Sequence, residues 1–306
     1  MKEKRIVSFL PSATELIYEL GAKDKLHGVT HECDYPRDAK NKPRVIESVF
    51  DPENMSSREI DDKICFLSEK GEDIYKLVQN NLVNAKPDLI ISQEICEVCS
   101  AYTNQVKKAI DILDDKPEIY SMSPHDIQGI FQSVKDISKI IGETENGEKL
   151  IKELNSKVNN IKETQFEEKP KVLGIEWLNP FFTAGHWVPD MIEYAGGLNM
   201  ITKSGEHSRK MGIEEIVDAD PDVIILMPCG FGINRTVSEY EKYLKDDSRW
   251  NKLRAVIENR VFAVDANSFF SKPSIRVFTG IEILGKILHP EIFSKLEVPS
   301  NSFLKI

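Results

Sequence analysis

Short, fully apolar runs alternate along the chain with stretches in which apolar residues return every three or four positions. Ile6-Val-Ser-Phe-Leu10 reads as a buried strand, and Pro11-Ser-Ala-Thr14 as a turn whose Ser12 or Thr14 caps a helix over Glu15 to Leu20. Gly21 ends that helix. Val29 falls in a second short strand, after which His31-Glu-Cys-Asp-Tyr-Pro36 leaves the sheet as a loop. From Ser57 to Asn84, Ile60, Ile64, Leu67, Ile74, Leu77 and Val78 form a stripe of helical period broken near Gly71.

One unit of this grammar occurs twice. Ala85-Lys-Pro-Asp-Leu-Ile-Ile-Ser-Gln-Glu-Ile-Cys-Glu-Val-Cys99 runs from a helix end through a Pro-Asp turn into an apolar strand and a Cys-rich loop. Ala219-Asp-Pro-Asp-Val-Ile-Ile-Leu-Met-Pro-Cys-Gly-Phe231 repeats it. The opening strand and helix likewise have a partner in Lys171 to Trp177, a long loop, and a helix over Val188 to Tyr194 ended by Gly196-Gly197. The pattern predicts an α/β protein of two Rossmann-like lobes with mainly parallel sheets, residues 1–143 and 169–306. Leu150, Ile151, Leu154, Val158 and Ile161 give helical period between them, so one long helix over 144–168 is expected to join the lobes and to limit their closure.

Composition narrows the function classes. A formal net charge of -10, with Lys and Arg interspersed among Asp and Glu, speaks against nucleic acid or an anionic membrane as partner. The apolar run behind Arg5 is too short for a signal-peptide core, and no stretch approaches the roughly 20 apolar residues of a membrane span. The five cysteines are an odd set that suits reduced thiols better than a disulfide framework. A monomer in the cytoplasm is therefore expected, or one outside it if a leader was removed.

In open α/β sheets ligands bind beyond the carboxyl ends of the strands. That rule nominates Pro11 to Thr14, Thr30 to Tyr35 and Gln93 to Ser100 in the first lobe. In the second it nominates Trp177 to Trp187, Pro228 to Phe231 and Ala266 to Ser271. An interlobe ligand cleft would be walled by Tyr35, Trp177, Phe181, Phe182, Trp187, Phe231, Phe269 and Phe270, with about half of these rings serving as core instead. Gln93, Thr183, Asn267 and Ser268 would supply the sparse hydrogen bonds at its rim.

The loops also carry metal-ligand chemistry. Cys96 and Cys99 form a single C-x-x-C, with Cys33 and Cys229 on other nominated loops and His31 or His186 helping from theirs, which admits zinc or an iron-sulfur cluster. The same thiols read equally as small side chains in tight loops, and Cys65 as core. His27, His125, His207 and His289 read as surface residues, and Gly230 and Gly232 as turn residues. No nucleophile has a defined base beside it, and no phosphate-cradling Gly-rich loop follows the first strand, so binding rather than catalysis is expected.

Ser8-Phe-Leu-Pro-Ser-Ala-Thr-Glu15, Asp34-Tyr-Pro36, Lys86-Pro-Asp-Leu-Ile90, Asn179-Pro-Phe-Phe-Thr-Ala-Gly185, Ala195-Gly-Gly197 and Asp265-Ala-Asn-Ser-Phe-Phe270 carry a resemblance over essentially the whole chain. Together they resemble the ABC-transporter substrate-binding proteins with a rigid helical connector, which include vitamin B12, iron-siderophore and haem receptors. The vitamin B12-binding branch, and within it a signal-less subgroup, is the most similar. The resemblance implies a cobalamin-like corrinoid as bound ligand, an ABC-transporter permease as receiving partner, and contacts to the corrin ring and its amides from Tyr35, Phe182 and the Asn267 to Phe270 loop. His31, His186 or a thiolate would then serve as axial ligand to cobalt. A siderophore or haem receptor is the alternative within the same class.

Overall fold

A computed structural model describes residues 4–93 and 101–306, so Cys96 and Cys99 lie outside the described residues. The chain divides into two compact units. The first takes the described residues of Met1–Met55, Asp62–Pro124 and Gln128–Lys152, and the second takes Ser56–Asp61, His125–Ile127 and Glu153–Ile306.

The first unit is built on β1 (Ile6–Ser8), β2 (Leu26–Thr30), β3 (Arg44–Ser48), β4 (Tyr75–Leu77), β5 (Leu89–Gln93) and β6 (Glu118–Met122). Among the described residues they form one sheet in the order β4-β3-β2-β1-β5-β6, parallel except for β4. Ile6, Val7, Ile90 and Ile91 are fully buried, as expected of central parallel strands, whose two faces are both covered. The chain leaves β1 toward β2 on one side, while β5 lies on the other, which makes the β1/β5 ends a topological switch point.

The helix after β1 starts earlier than the pattern predicts, at Pro11, because proline at the first helical position has the right φ and lacks only an N–H that would be unpaired there. Its N-cap is Leu10 and no side chain caps it, so neither Ser12 nor Thr14 has the capping role expected. Gly21 ends it at φ +76, with Ala22 N–H reaching back to the Ile17 carbonyl at 3.0 Å. The stripe from Ser57 to Asn84 resolves into helices Ser57–Glu69 and Gln79–Ala85 around an edge strand, because Tyr75 and Leu77 pair with Ser48 and Ile46. Helical spacing alone hides three such residues.

The second unit is built on β7 (Lys171–Leu178), β8 (Phe181–Thr183), β9 (Leu198–Asn199), β10 (Val223–Leu226), β11 (Val261–Val264) and β12 (Phe303–Lys305). The sheet order is β12-β11-β10-β7-β8, with β9 parallel to the start of β7 and with β8 and β12 antiparallel. The long loop expected after Trp177 thus contains a strand, folded back on β7 across Asn179-Pro180.

The repeated Pro-Asp unit is the same physical device in both units. Before each proline, Lys86 and Asp220 take left-handed φ of 42° and 39°, a conformation costing an L-residue about 1 kcal/mol. The following aspartate offsets this with a charge-assisted bond: Asp88 accepts from Arg5 N–H at 2.9 Å and Asp222 from Lys171 N–H at 2.7 Å. Both aspartates also donate their own N–H to the same two residues, at 2.8 Å each. The turn thereby sets β5 beside β1 and β10 beside β7.

The long helix is Thr144–Lys162, about 28 Å at 1.5 Å per residue, with Leu150, Leu154, Val158 and Ile161 buried. It stops short of Phe166, whose ring stacks instead on His289 at 4.3 Å. Among the described residues no helix is long and apolar enough to cross a membrane.

Candidate functional site

Three loops of the second unit are tied together where β7, β10 and β11 end. Trp177 pairs with Phe182 across β7 and β8, meets Phe231 edge-on at 5.2 Å, and donates its indole N–H to the Ser57 carbonyl at 3.1 Å. Ser57 is itself held by the buried Glu239, which accepts from its N–H at 3.0 Å and from its hydroxyl. Phe231 closes a turn onto the Pro228 carbonyl, and its own carbonyl accepts from Asn267 N–H at 3.1 Å. Gly230 N–H donates to Ser271 Oγ.

Cations line this arrangement, and the sequence pattern missed them. The Arg235 guanidinium lies 3.7 Å from the Phe231 ring centre, Arg276 lies 5.7 Å from Phe269, and Lys210 lies 5.6 Å from Phe182. Trp177, Phe182, Asn267 and Phe269 are half-buried, with surface left to offer. Phe231 at 2% exposure and Trp187 at 5% are not; both are core, together with Phe270. Burial leaves Trp187 little ring face to present, and its indole N–H ties it to the Phe270 carbonyl at 2.8 Å within that core.

A second grouping forms around His186. Gly185 carries no side chain, and a Cβ there would fall 2.5 Å from Ser208 N and 2.6 Å from Glu206 O, so glycine lets residues 206–208 lie directly against it. His186 N–H then donates to Glu206 O at 2.6 Å, and Gly205 N–H to His186 O at 3.0 Å. The Glu176 carboxylate bridges the two segments, accepting from Ser208 Oγ at 2.7 Å and Gly185 N–H at 3.3 Å, and its burial pushes its carboxyl up. Asp190 accepts from Ile127 N–H at 3.0 Å and so brings His125 in from a third loop.

As a result the His186 ring lies 5.9 Å from His125 and 5.0 Å from His207, which are 5.3 Å apart. Burial, and next the neighbouring His207 and His125, push the His186 imidazole down to about 4, so it is neutral at physiological pH. The expectation of surface histidines holds for His207 and fails for His125 and His289. His207 is exposed but clustered, His125 is half-buried, and buried His289 bonds the Gly196 carbonyl at 3.1 Å.

In the first unit the structure corrects the thiol reading. Cys33 is fully buried, with its sulfur 3.1 Å from Thr14 Oγ1 and 3.3 Å from Thr30 Oγ1, and burial pushes its thiol up, away from the thiolate a metal needs. Cys65, expected in the core, is exposed, as is Cys229. No cysteine among the described residues joins a cluster of three metal-capable side chains. In native protein treated with a thiol reagent, Cys65 and Cys229 should be modified within minutes and Cys33 only after denaturation. Peptide mass mapping of the labelled sites checks this, and labelling of native Cys33 at the rate of Cys65 would contradict it.

The remaining nominated residues of this unit stand at strand ends or in the loop after β2. His31 follows β2, half-buried, its ring 5.8 Å from Tyr75. Tyr35 is 47% exposed, and Gln93 ends β5 opposite Met122, half-buried.

With this geometry in hand, the chain can be set beside known proteins. The family model described as periplasmic binding protein matches residues 6–268. An ABC transporter substrate-binding lipoprotein of Bacillus subtilis, YvrC, is 24% identical over 302 residues, 95% of this chain and 82% of that protein. A vitamin B12-binding protein of Vibrio campbellii is 21% identical over 286 residues, 91% and 86% of the two chains. The crystal structure of Staphylococcus aureus IsdE complexed with heme superposes with a TM-score of 0.69 at 17% identity, covering 94% of this chain and 99% of that one. These findings overturn the cytoplasmic expectation, since the family is named for the periplasm and the Bacillus relative is a lipoprotein. The apolar run Ile6 to Leu10 was misleading evidence on that point, because it begins with the first strand of a sheet and has no bearing on export. The chain belongs to the periplasmic binding protein family, as a substrate-binding protein of the ABC-transporter kind.

Proposed function

We propose that this protein captures a flat metal-chelating macrocycle of the cobalamin-like corrinoid class for an ABC-transporter permease on the outer side of the cytoplasmic membrane. The observation that carries the reading is the set of half-buried rings Trp177, near the carboxyl end of β7, Phe182, its partner on the antiparallel β8, and Phe269, in the segment after β11 that also carries Asn267. Aromatic faces of this size bind a planar ring through area burial and stacking, and an amide side chain suits the amide-bearing edge of a corrin. On the first unit, Tyr35 in the loop after β2 and Gln93 at the end of β5 are proposed as ligand contacts. The vitamin B12-binding relative supports the class of ligand.

A second reading, haem, is favoured by Arg235 and Arg276, whose charges lie against Phe231 and Phe269 and suit carboxylates on a ring edge. Titration of the full chain with cyanocobalamin and with haemin, followed by tryptophan fluorescence, separates the two. Trp177→Ala is expected to weaken the favoured ligand by about 10- to 100-fold, the loss typical of an aromatic anchor, whereas Trp177→Phe retains most of the affinity. Equal affinities for wild type and Trp177→Ala would sink the assignment of this surface.

A further inference from the structure

His125, His186 and His207 come from three separate loops, yet one ring nitrogen from each lies within 4.8 Å of the other two. Among the described residues no other trio of His, Cys, Asp or Glu side chains converges in this way. Three converging imidazoles repel one another when charged. His186 is 8% exposed, and its Nδ1 is buried with no hydrogen-bond partner among the described residues. A buried ring nitrogen left in that condition is normally a cost of about 1–3 kcal/mol. The surrounding construction is elaborate for a residue with no task. Gly185 admits the 206–208 segment, Glu176 clamps that segment to Gly185, Asp190 anchors the third loop, and His186 itself sits at φ +55.

We propose that His125, His186 and His207 form a three-imidazole site for a divalent transition-metal ion of the zinc type, with a fourth position left open. Neutral nitrogen ligands select zinc and its neighbours over magnesium or calcium, which prefer oxygen. Tetrahedral zinc–nitrogen bonds of 2.0–2.1 Å put the ligand atoms about 3.3 Å apart. The trio reaches that spacing by small rotations of the exposed His207 and the half-buried His125 about a fixed His186. The open position would take water, or a donor atom from a small anionic ligand. None of Trp177, Phe182 and Phe269 is a ligand in this proposal, so neither proposal requires the other.

The test uses chelator-stripped full chain titrated with Zn²⁺ against a chromophoric competitor, and separately with Co²⁺. One ion per chain is expected, with Co²⁺ ligand-field bands and no thiolate-to-cobalt charge transfer. His186→Ala and His207→Ala should each weaken Zn²⁺ by at least about 100-fold, beyond the loss that removal of an outer-shell partner brings. The Cys96→Ser/Cys99→Ser double variant should bind as the wild type does. His207 is exposed, so His207→Ala keeps the fold and decides the matter even if His186→Ala does not. The proposal is overturned by absence of stoichiometric binding, by unchanged affinity in His207→Ala, or by loss of binding in the double cysteine variant.

Discussion

Trp250→Ala should lower the unfolding free energy of the second unit by about 4 kcal/mol, the upper range for deleting a buried aromatic side chain. Trp250 is fully buried and opens a short turn, Trp250–Lys252, held by its backbone N–H donating to Asp247 Oδ1 at 3.2 Å. Its ring stacks on Phe181 at 6.2 Å and meets Tyr240 edge-on at 6.3 Å, within the cluster that includes Leu173, Leu226, Leu253 and Val261. Those side chains come from β7, β10, β11 and the loops between them, so no single element can collapse to fill the space. Phe181 and Tyr240 lose their ring contacts with it. Urea unfolding monitored by circular dichroism reads the change, with Trp250→Phe losing less than half as much. A loss under about 1 kcal/mol for the alanine variant would mean that the ring is not the centre of this core.

The second large effect is expected from Gly185→Ala, a change that adds one methyl group. Its Cβ would meet three backbone atoms, Ser208 N at 2.5 Å, Glu206 O at 2.6 Å and the His207 carbonyl carbon at 2.9 Å, and backbone held by two hydrogen bonds to His186 cannot step aside at low cost. Overpacking of this kind costs about 1–3 kcal/mol, and the upper half of that range applies when the obstacle is main chain. Gly232→Ala is the control. Gly232 has ordinary φ of -84° and nothing within 4 Å of its Cβ position, so its substitution should leave stability within about 0.5 kcal/mol. Thermal melts of the two variants, run together, should differ plainly; equal melting points would show that the 206–208 segment does not rest on Gly185.

What could be read from the residues follows how local the chemistry is. The Pro-Asp turns were legible twice over, because the proline, the aspartate and the strand they precede are neighbours in sequence and the bonds they make are set within the turn. The Gly21 helix end was legible for the same reason. The edge strand Tyr75–Leu77 was not: its residues fit a helical stripe, and only pairing with Ser48 and Ile46 makes them a strand. The strand Phe181–Thr183 was hidden by a two-residue reversal at Asn179-Pro180.

The candidate site divides along the same line. That Trp177, Asn267 and Phe269 lie near the ends of β7 and β11 was legible from the strand pattern. Phe182 sits inside the hidden strand β8, and the exposure of all four depends on what else packs there. Trp187 looks like its neighbours in sequence, and only the packing that buries it tells it apart from Trp177. Arg235 and Arg276 lie a helical turn or more away from the aromatic residues they cover. The histidine trio was invisible because its members lie on three loops, joined by Gly185, Glu176 and Asp190 through contacts that no spacing rule encodes.

The central claim is that these loops take up a metal-chelating macrocycle, and calorimetric titration of the full chain tests it most directly. Cyanocobalamin, with haemin in a parallel titration, is expected to give a saturable one-to-one isotherm with Kd below about 1 μM, equivalent to about -8 kcal/mol. The macrocycle should co-elute with the protein on gel filtration. No heat and no co-elution for either compound, at protein concentrations of roughly tens of micromolar, where a ligand of that affinity would saturate, would contradict it.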